Sequence, residues 1–424
     1  MRSVCVIGAG VSGLVVTKEL RAIGLEVDCY EMMPRLGGVF ASAVWKDGQL
    51  TSSSVFTWYS DFPLANRQQF LTWEAWLDYL ERYAEHFNLR PHIHLDCKVE
   101  AVRRDGPRWK VQVHRANWSN GHPFHPAAHH VVEETFTRQY DHLVICAGLH
   151  HAPKIPDILG LETFPGQVLH SSAYRDAEAF RGKRVVVVGS GESASDIALQ
   201  LARVAASCLI STRSAPGTLF PRWIQGNTPD IRDDRLTYNL PRILAPRILR
   251  GHRAFYYRQR ERQELFRWAA ESNFQHQRCP FNTNACKSFG IPEAVLEHGA
   301  QLAGPITSVA GHRVICADGS AYEAEAMVLC TGFTPTLPFL EPQLADKLLG
   351  INALWKNVVH PELGEALFLV GFSRPQQINL VSIAEMQARL VARVLDGQPL
   401  PSRAQMATTI QADQAWMRRY FGER

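Results

Sequence analysis

The sequence has no C-x-x-C pair, no apolar run of bilayer-spanning length, no tandem repeat and little net charge. Each absence removes a class of function. Nine cysteines are scattered through 424 residues, an odd number without metal-ligand spacing. That excludes a disulfide framework, a zinc ribbon and a dithiol redox centre. Several cysteines sit in apolar strand-like runs and read as small hydrophobes. No stretch approaches the ~20 apolar residues of a transmembrane helix. The formal net charge of +4 is too slight to argue for nucleic acid. The opening MRSVCVIGAG enters a strand and a Gly turn rather than an apolar targeting segment. A cytoplasmic protein with no membrane span and no nucleic-acid partner is therefore expected.

What remains is ordinary globular composition, 46% hydrophobic and 20% charged, ample for a sizeable core. The length suggests two or three domains. Two strand–turn–helix–strand units stand out. In the first, Ser3–Ile7 is an apolar run, Gly8 to Gly13 a G-x-G-x-x-G turn, and 11–23 a helical stretch closed by Gly24. The strand 25–30 follows and ends at Glu31. Gly8 permits the tight turn, Gly10 lets backbone approach a pyrophosphate, and Gly13 lets helix pack on strand. The helix start offers free N–H groups and a positive dipole end to phosphate. Glu31, 18 positions after Gly13, can accept hydrogen bonds from both hydroxyls of an adenosine ribose. That suits FAD or NAD. The pair Gly37-Gly38, just beyond, permits close approach to a long cofactor or marks an ordinary turn.

The second unit is GKRVVVVGSGESA, with Gly189, Gly191, Glu192, Ser193 and Ala194, Ala being a tolerated third member. A helix is expected over 193–206 and a strand over 208–212. Arg213 stands 19 positions after Ala194, where the first unit has Glu31. A guanidinium there attracts a 2′-phosphate with a forked, permanent charge. The contrast assigns FAD to the first turn and NADPH to the second. Glu192 either orients the cofactor amide or is a helix-start acid favoured by the dipole.

Elsewhere, residues 66–88 have helical spacing, with one apolar face, and 95–145 is β-rich. The His-rich loop NGHPFHPAAHH lacks carboxylate partners and reads as a solvated hairpin tip. The segment 239–278 carries nine arginines against three glutamates. It is either a solvated helical face or a surface for a membrane or partner. AMVLCTGF (326–333) repeats the strand-and-small-turn pattern of HLVICAGL (142–149). A core strand is expected at 367–372, and closing helices over 380–395 and 405–421.

One phrase precedes the second turn: FPGQVLHSSAY, with Phe164, Gly166, His170 and Tyr174 spaced as F-x-G-x-x-x-H-x-x-x-Y. Together with YSDFP (59–63), CTGF (330–333) and AEMQARLVARVL, it resembles the flavin-containing monooxygenases. The resemblance covers most of the chain. It implies two Rossmann-like dinucleotide-binding domains of α/β class, the FAD domain interrupted by the NADPH domain. The expected bounds are 1–160, then 161–325 with a helical insertion at 218–290, then 326–424 as the return part. It implies NADPH-driven oxygenation of an amine nitrogen or sulfide through a flavin hydroperoxide. The expected partners are a small-molecule substrate and dioxygen, and the family admits a homodimer.

Baeyer–Villiger relatives carry Trp where this chain has Tyr174, so that alternative is the lesser one. The chain departs from the family at one place. Ten residues before Asp61 the family has an Asn beside the flavin; here the register falls on Thr51, followed by Ser52. A hydroxyl donates one hydrogen bond where an amide both donates and accepts. Thr51 and Ser52 are the candidate catalytic residues. The departure keeps open a cofactor-bound sensor or scaffold without oxygenation.

Overall fold

The computed structural model describes residues 2–65, 69–117, 131–213, 222–223, 228, 264–265, 268, 286, 288–350, 353–373 and 379–421. The His-rich loop and nearly all of the Arg-rich 239–278 segment lie outside the described residues.

The chain begins β1 (Ser3–Ile7), α1 (Val11–Ala22), β2 (Glu26–Tyr30), α2 (Val39–Ser42), α3 (Trp73–His86) and β3 (Ile93–His94). Three long strands follow, β4 (Cys97–Asp105), β5 (Arg108–Asn117) and β6 (Val131–Tyr140), and then β7 (His142–Ile145). Next come β8 (Gln167–His170), β9 (Arg184–Val188), α4 (Glu192–Ala202), β10 (Ser207–Ser211), α5 (Gly290–His298) and β11 (Gln301–Ala303). The remainder is β12 (Ile306–Ala310), β13 (Arg313–Cys316), β14 (Ala321–Glu323), β15 (Ala326–Leu329), α6 (Pro342–Leu349), β16 (Leu367–Leu369), α7 (Leu380–Leu395) and α8 (Arg403–Phe421).

Two parallel five-stranded sheets organise these elements. The first has the order β16-β7-β1-β2-β3 and the second β11-β10-β9-β15-β8. Parallel strands buried on both faces read as unbroken apolar runs, which is why VCVI and VVVV lack alternation. Neighbouring residues nevertheless point to opposite faces. Val4 and Val6 join α1, α3 and α7 in one core. Cys5 and Ile7 join Val99, Trp109 and Val111 of the antiparallel β4-β5-β6 sheet in the other. The second half repeats this. Val185 and Val187 pack with Ile197 and Leu201 of α4, while Val186 packs with Val309 and Val314 of the antiparallel β12-β13-β14 sheet. Each such side chain contributes about 1.5–3 kcal/mol by leaving water.

Three expectations change. The helix expected from 66 begins at Trp73, because Thr72 caps it by accepting the Ala75 N–H at 3.3 Å. Phe70 and Leu71 belong instead to an extended stretch, where Gln49 bridges Thr72 and Leu50 N–H donates to the Leu71 carbonyl. The helix after the second turn ends at Ala202, short of residue 206. Finally, β15 does not open the return to the first half. It lies between β9 and β8 in the second sheet, with Val328 opposite Val187 and Leu169. The first sheet is rejoined only by β16, which pairs with β7.

Candidate functional site

The two Gly turns occupy equivalent places. Each follows a central strand and faces the carbonyl of the residue after the neighbouring strand. In the first, Gly8 has φ +100°, and a methyl group added to it would stand 2.7 Å from the Cys146 carbonyl oxygen. In the second, Gly189 has φ +130°, and a methyl there would stand 2.4 Å from the Cys330 carbonyl oxygen. Only glycine accepts both the positive φ and the approach. The resemblance between HLVICAGL and AMVLCTGF has this origin, since Cys146 and Cys330 donate to Ile7 and Val188 in the same way.

Both helix starts are open. Gly10 and Gly191 occupy the N-cap positions of α1 and α4, and neither offers a side-chain cap. No N-cap side chain therefore competes with a ligand for the first-turn N–H groups. Around the first turn the glycines form a narrow cradle. A methyl on Gly13 would stand 1.8 Å from the Gly8 carbonyl oxygen, and one on Gly38 3.3 Å from the Gly10 Cα. Gly37 N–H donates to the Ala9 carbonyl at 3.1 Å. Gly37-Gly38 is therefore the second wall of the cradle rather than an unrelated turn. At the second turn Gly191 is exposed, and among the described residues nothing lies within 4 Å of a methyl on it. Ala194 is fully buried, so this half accommodates the extra carbon at the third position. Both turns fit an extended dinucleotide, the first enclosed and the second open.

Glu31 is buried at the end of β2. Its carboxylate accepts Ala9 N–H at 2.7 Å and Met33 N–H at 2.9 Å. Burial pushes its pKa up, against the pull of the backbone N–H groups of Met33, Ala9 and Met32. The strand register puts the matching position in the second half one residue before Arg213. Ile7 pairs with Tyr30 and Val188 with Ser211, so Thr212, not Arg213, is the counterpart of Glu31. Arg213 is exposed one residue farther on. Glu192 opens α4, where the Cys286 thiol donates to its Oε2 at 3.6 Å. Ser193 follows it, half-buried.

The candidate hydroxyls lie in a segment bonded to first-half residues and, at Ser53, to Thr228 of the second half. Ser53 and Ser54 are fully buried. Their hydroxyls are occupied: Ser53 Oγ accepts Val55 N–H at 3.3 Å and the Thr228 hydroxyl at 3.3 Å, and Ser54 Oγ accepts Gln69 N–H at 3.2 Å. The Asn379 amide at the start of α7 donates to the Phe56 carbonyl. Thr51 is exposed and Ser52 half-buried, so these two are the members of the run that reach the surface.

The phrase Phe164–Tyr174 packs within the second half and meets the first at Tyr174, whose ring contacts Trp45. Phe164 is buried in the second core, and a methyl on Gly166 would stand 2.3 Å from the Glu325 carbonyl oxygen. His170 Nε2 donates to the Gly332 carbonyl at 2.9 Å, and its Nδ1 accepts Ser172 N–H at 3.2 Å. A carbonyl can only accept, so the ring carries its proton on Nε2. Burial lowers the His170 pKa, against the Gly332 hydrogen bond. Tyr174 is buried and donates to Gln200 Oε1 on α4 at 3.0 Å. These bonds occupy both ring nitrogens of His170 and the hydroxyl proton of Tyr174.

Sequence reasoning missed a group on α4. Asp196 pairs with Arg222 at 3.0 Å and accepts the Ser288 hydroxyl at 3.0 Å. The spacing of Asp196 and Gln200, four apart on a helix whose other face is apolar, was the available signal.

The family model for flavin-binding monooxygenase-like proteins matches residues 1–424. A curated relative from Marinomonas mediterranea, a 4-hydroxybenzoate brominase (decarboxylating), is 33% identical over 97% of this chain and 78% of its own. Dimethylaniline monooxygenase [N-oxide-forming] 2 of Cavia porcellus is 28% identical over 96% of this chain and 76% of its own. The solved structure of S-allyl-L-cysteine S-oxygenase from Allium sativum superposes with a TM-score of 0.67 at 22% identity, covering 99% of this chain and 82% of that one. No described helix is long and apolar enough to cross a membrane.

Proposed function

The chain belongs to the flavin-binding monooxygenase-like family, and on that premise we propose that it oxygenates a soft nucleophile with FAD at the first Gly turn and NADPH at the second. The family's cofactors are FAD and NADPH. When bound, they supply the hydride and the activation of dioxygen. The chain's part is to bind, orient and exclude water.

One contrast carries the assignment: buried Glu31 at the first strand end, and Thr212 with exposed Arg213 at the second. Glu31 uses two of a carboxylate's roughly four acceptor positions on backbone N–H groups, leaving others for ribose hydroxyls. The same acid repels a 2′-phosphate. Thr212 is neutral, and Arg213 can fold back to pair with that phosphate. Gly8, Gly10, Gly13, Gly37 and Gly38 give backbone access to one pyrophosphate; Gly189, Gly191 and Ser193 give it to the other. Glu192, at the start of α4, is assigned to orient the nicotinamide amide. Thr51 and Ser52 are the hydroxyl donors nearest the surface of the flavin-side segment. By their offset from Asp61 they are assigned the role of the family's Asn.

The favoured oxygen acceptors are an amine nitrogen and a sulfide, in keeping with the N-oxide-forming relative. The brominase relative supports a second reading in which bromide is the soft nucleophile. Bromide would give up two electrons to the transferred oxygen, and electrophilic bromine would replace the carboxyl group of a 4-hydroxybenzoate, released as carbon dioxide. Mass spectrometry of products, using labelled dioxygen and the FAD-loaded full chain with NADPH, separates the readings. Label in an N-oxide or S-oxide supports the first. A bromophenol formed with loss of carbon dioxide supports the second. Hydrogen peroxide alone across amines, sulfides, and bromide with 4-hydroxybenzoate rejects both and leaves the sensor or scaffold.

A further inference from the structure

A short strap in the first half has its two ends in different cores. Trp45 packs against the second-half core of Tyr174, Phe180 and Ile197, and its ring meets Tyr174 edge-on with centroids 6.4 Å apart. Leu50 is buried in the first-half core. Between them the backbone turns through Asp47, at φ +61°. Thr51–Ser54 follow directly.

One face of α4 holds this strap. Lys46 is gripped by both of its backbone groups: its N–H donates to the Arg175 carbonyl at 2.8 Å, and its carbonyl accepts Gln200 Nε2 at 3.0 Å. One turn earlier Asp196 holds Arg222, whose Nη1 donates to Gln49 Oε1 at 2.8 Å. The side chains of Asp196 and Arg222 are only 16% and 19% exposed, so solvent screens their pairing little. Arg175 adds a bond from Nη2 to the Ser42 carbonyl at 2.8 Å.

We propose that Asp196, acting through Arg222, and Gln200 are positioning residues: they tie the Trp45–Gln49 strap to α4, so that a nucleotide held at the start of α4 sets the placement of Thr51–Ser54 across the seam. This rests on the assignment of NADPH to the second turn. A helix moves as a rigid rod, so displacement at Gly191 carries Asp196 and Gln200 with it. The coupling is reciprocal: a fixed strap favours the nucleotide as much as the nucleotide favours the strap.

Hydrogen exchange of the FAD-loaded full chain, with and without saturating NADP⁺, tests the tie, with NADP⁺ binding measured in parallel by calorimetry. In the wild type, NADP⁺ is expected to slow exchange in peptides spanning 45–54 by about tenfold or more. Arg222→Ala and Gln200→Ala should each remove most of that slowing, while peptides spanning 189–195 stay protected and NADP⁺ affinity falls by no more than about tenfold. Gln200→Glu keeps the acceptor for Tyr174 but loses the donor to Lys46, so it should behave like Gln200→Ala. Tyr174→Phe should keep the slowing. Should Arg222→Ala fail to fold, Gln200→Glu decides alone. Slowing that persists in the folded variants, or that is missing from a wild type that binds NADP⁺, overturns this proposal only. A wild type that binds no NADP⁺ overturns the second-turn assignment and the proposal with it.

Discussion

The two halves of the molecule are built on one plan and differ where ligands would be read. Each has a central strand, a Gly turn, a helix on one face and a three-stranded antiparallel sheet on the other. The first turn is walled by a second glycine pair and closed by a buried acid. The second is open at Gly191 and ends on a hydroxyl and an exposed cation. Enclosure suits a cofactor kept through many turnovers, and openness suits one exchanged in each. With the backbone shared, the proposed assignment leaves the choice of nucleotide to a few side chains at the strand end.

The comparison can be broken most severely at the third glycine. Gly13→Ala places a carbon on the Gly8 carbonyl, whereas Ala194 already carries one in the other half. Gly13→Ala protein is expected to emerge colourless, with its flavin absorbance lost. Retention of full flavin occupancy would contradict the cradle. Arg213→Ala should raise KM for NADPH by about ten- to a hundredfold while that for NADH moves little. Steady-state kinetics with both nucleotides reads this directly, and equal loss for both would reject the phosphate reader.

Asp28 sharpens the contrast in another way. It accepts from His94 at 2.7 Å, Tyr140 at 2.7 Å and Arg138 at 3.0 Å, where the register of the second half has Leu209. Although burial opposes ionisation, the bonds from His94 and Tyr140 and the charges of His94 and Arg138 hold its pKa down at about 2. A depressed carboxyl adds stability above its unfolded pKa near 4, and that stability is lost as pH falls through about 2. Asp28→Asn should therefore cost about 1–2 kcal/mol near neutral pH, shrinking toward zero in strong acid. Denaturant melts across pH check both size and sign. Least of all, Ala194→Gly should cost about 1 kcal/mol or less, the helix propensity of one residue, with cofactor binding kept.

Local chemistry carried much of this into the sequence. The strand–Gly–helix units were legible because a buried parallel strand must be apolar at every position and its turn must be glycine. The seam phrase was legible as spacing, though only the contacts explain it. Position within a sheet was not legible. AMVL and HLVI look alike because they fill matching places in different sheets, and pairing partners so far apart leave no local mark. Arg213 was one residue out because it stands 19 positions after Ala194; the 18 positions that separate Gly13 from Glu31 lead to Thr212, where the register also puts the counterpart. The start of α3 was overextended because Phe70 and Leu71 are apolar in both readings, and only the Thr72 cap separates them. The Asp196–Arg222–Gln49 tie joins three distant segments, which no window of sequence contains.

The late arrival of β16 bears on how the protein is made. Its place at the edge of the first sheet, beside β7, stays empty until the whole second half has left the ribosome. The second sheet waits too, since the gap between β9 and β8 fills only when β15 is made, but it needs no strand from beyond residue 329. The second half can therefore mature on the nascent chain, while the first keeps an open flank until residues 367–369 are made.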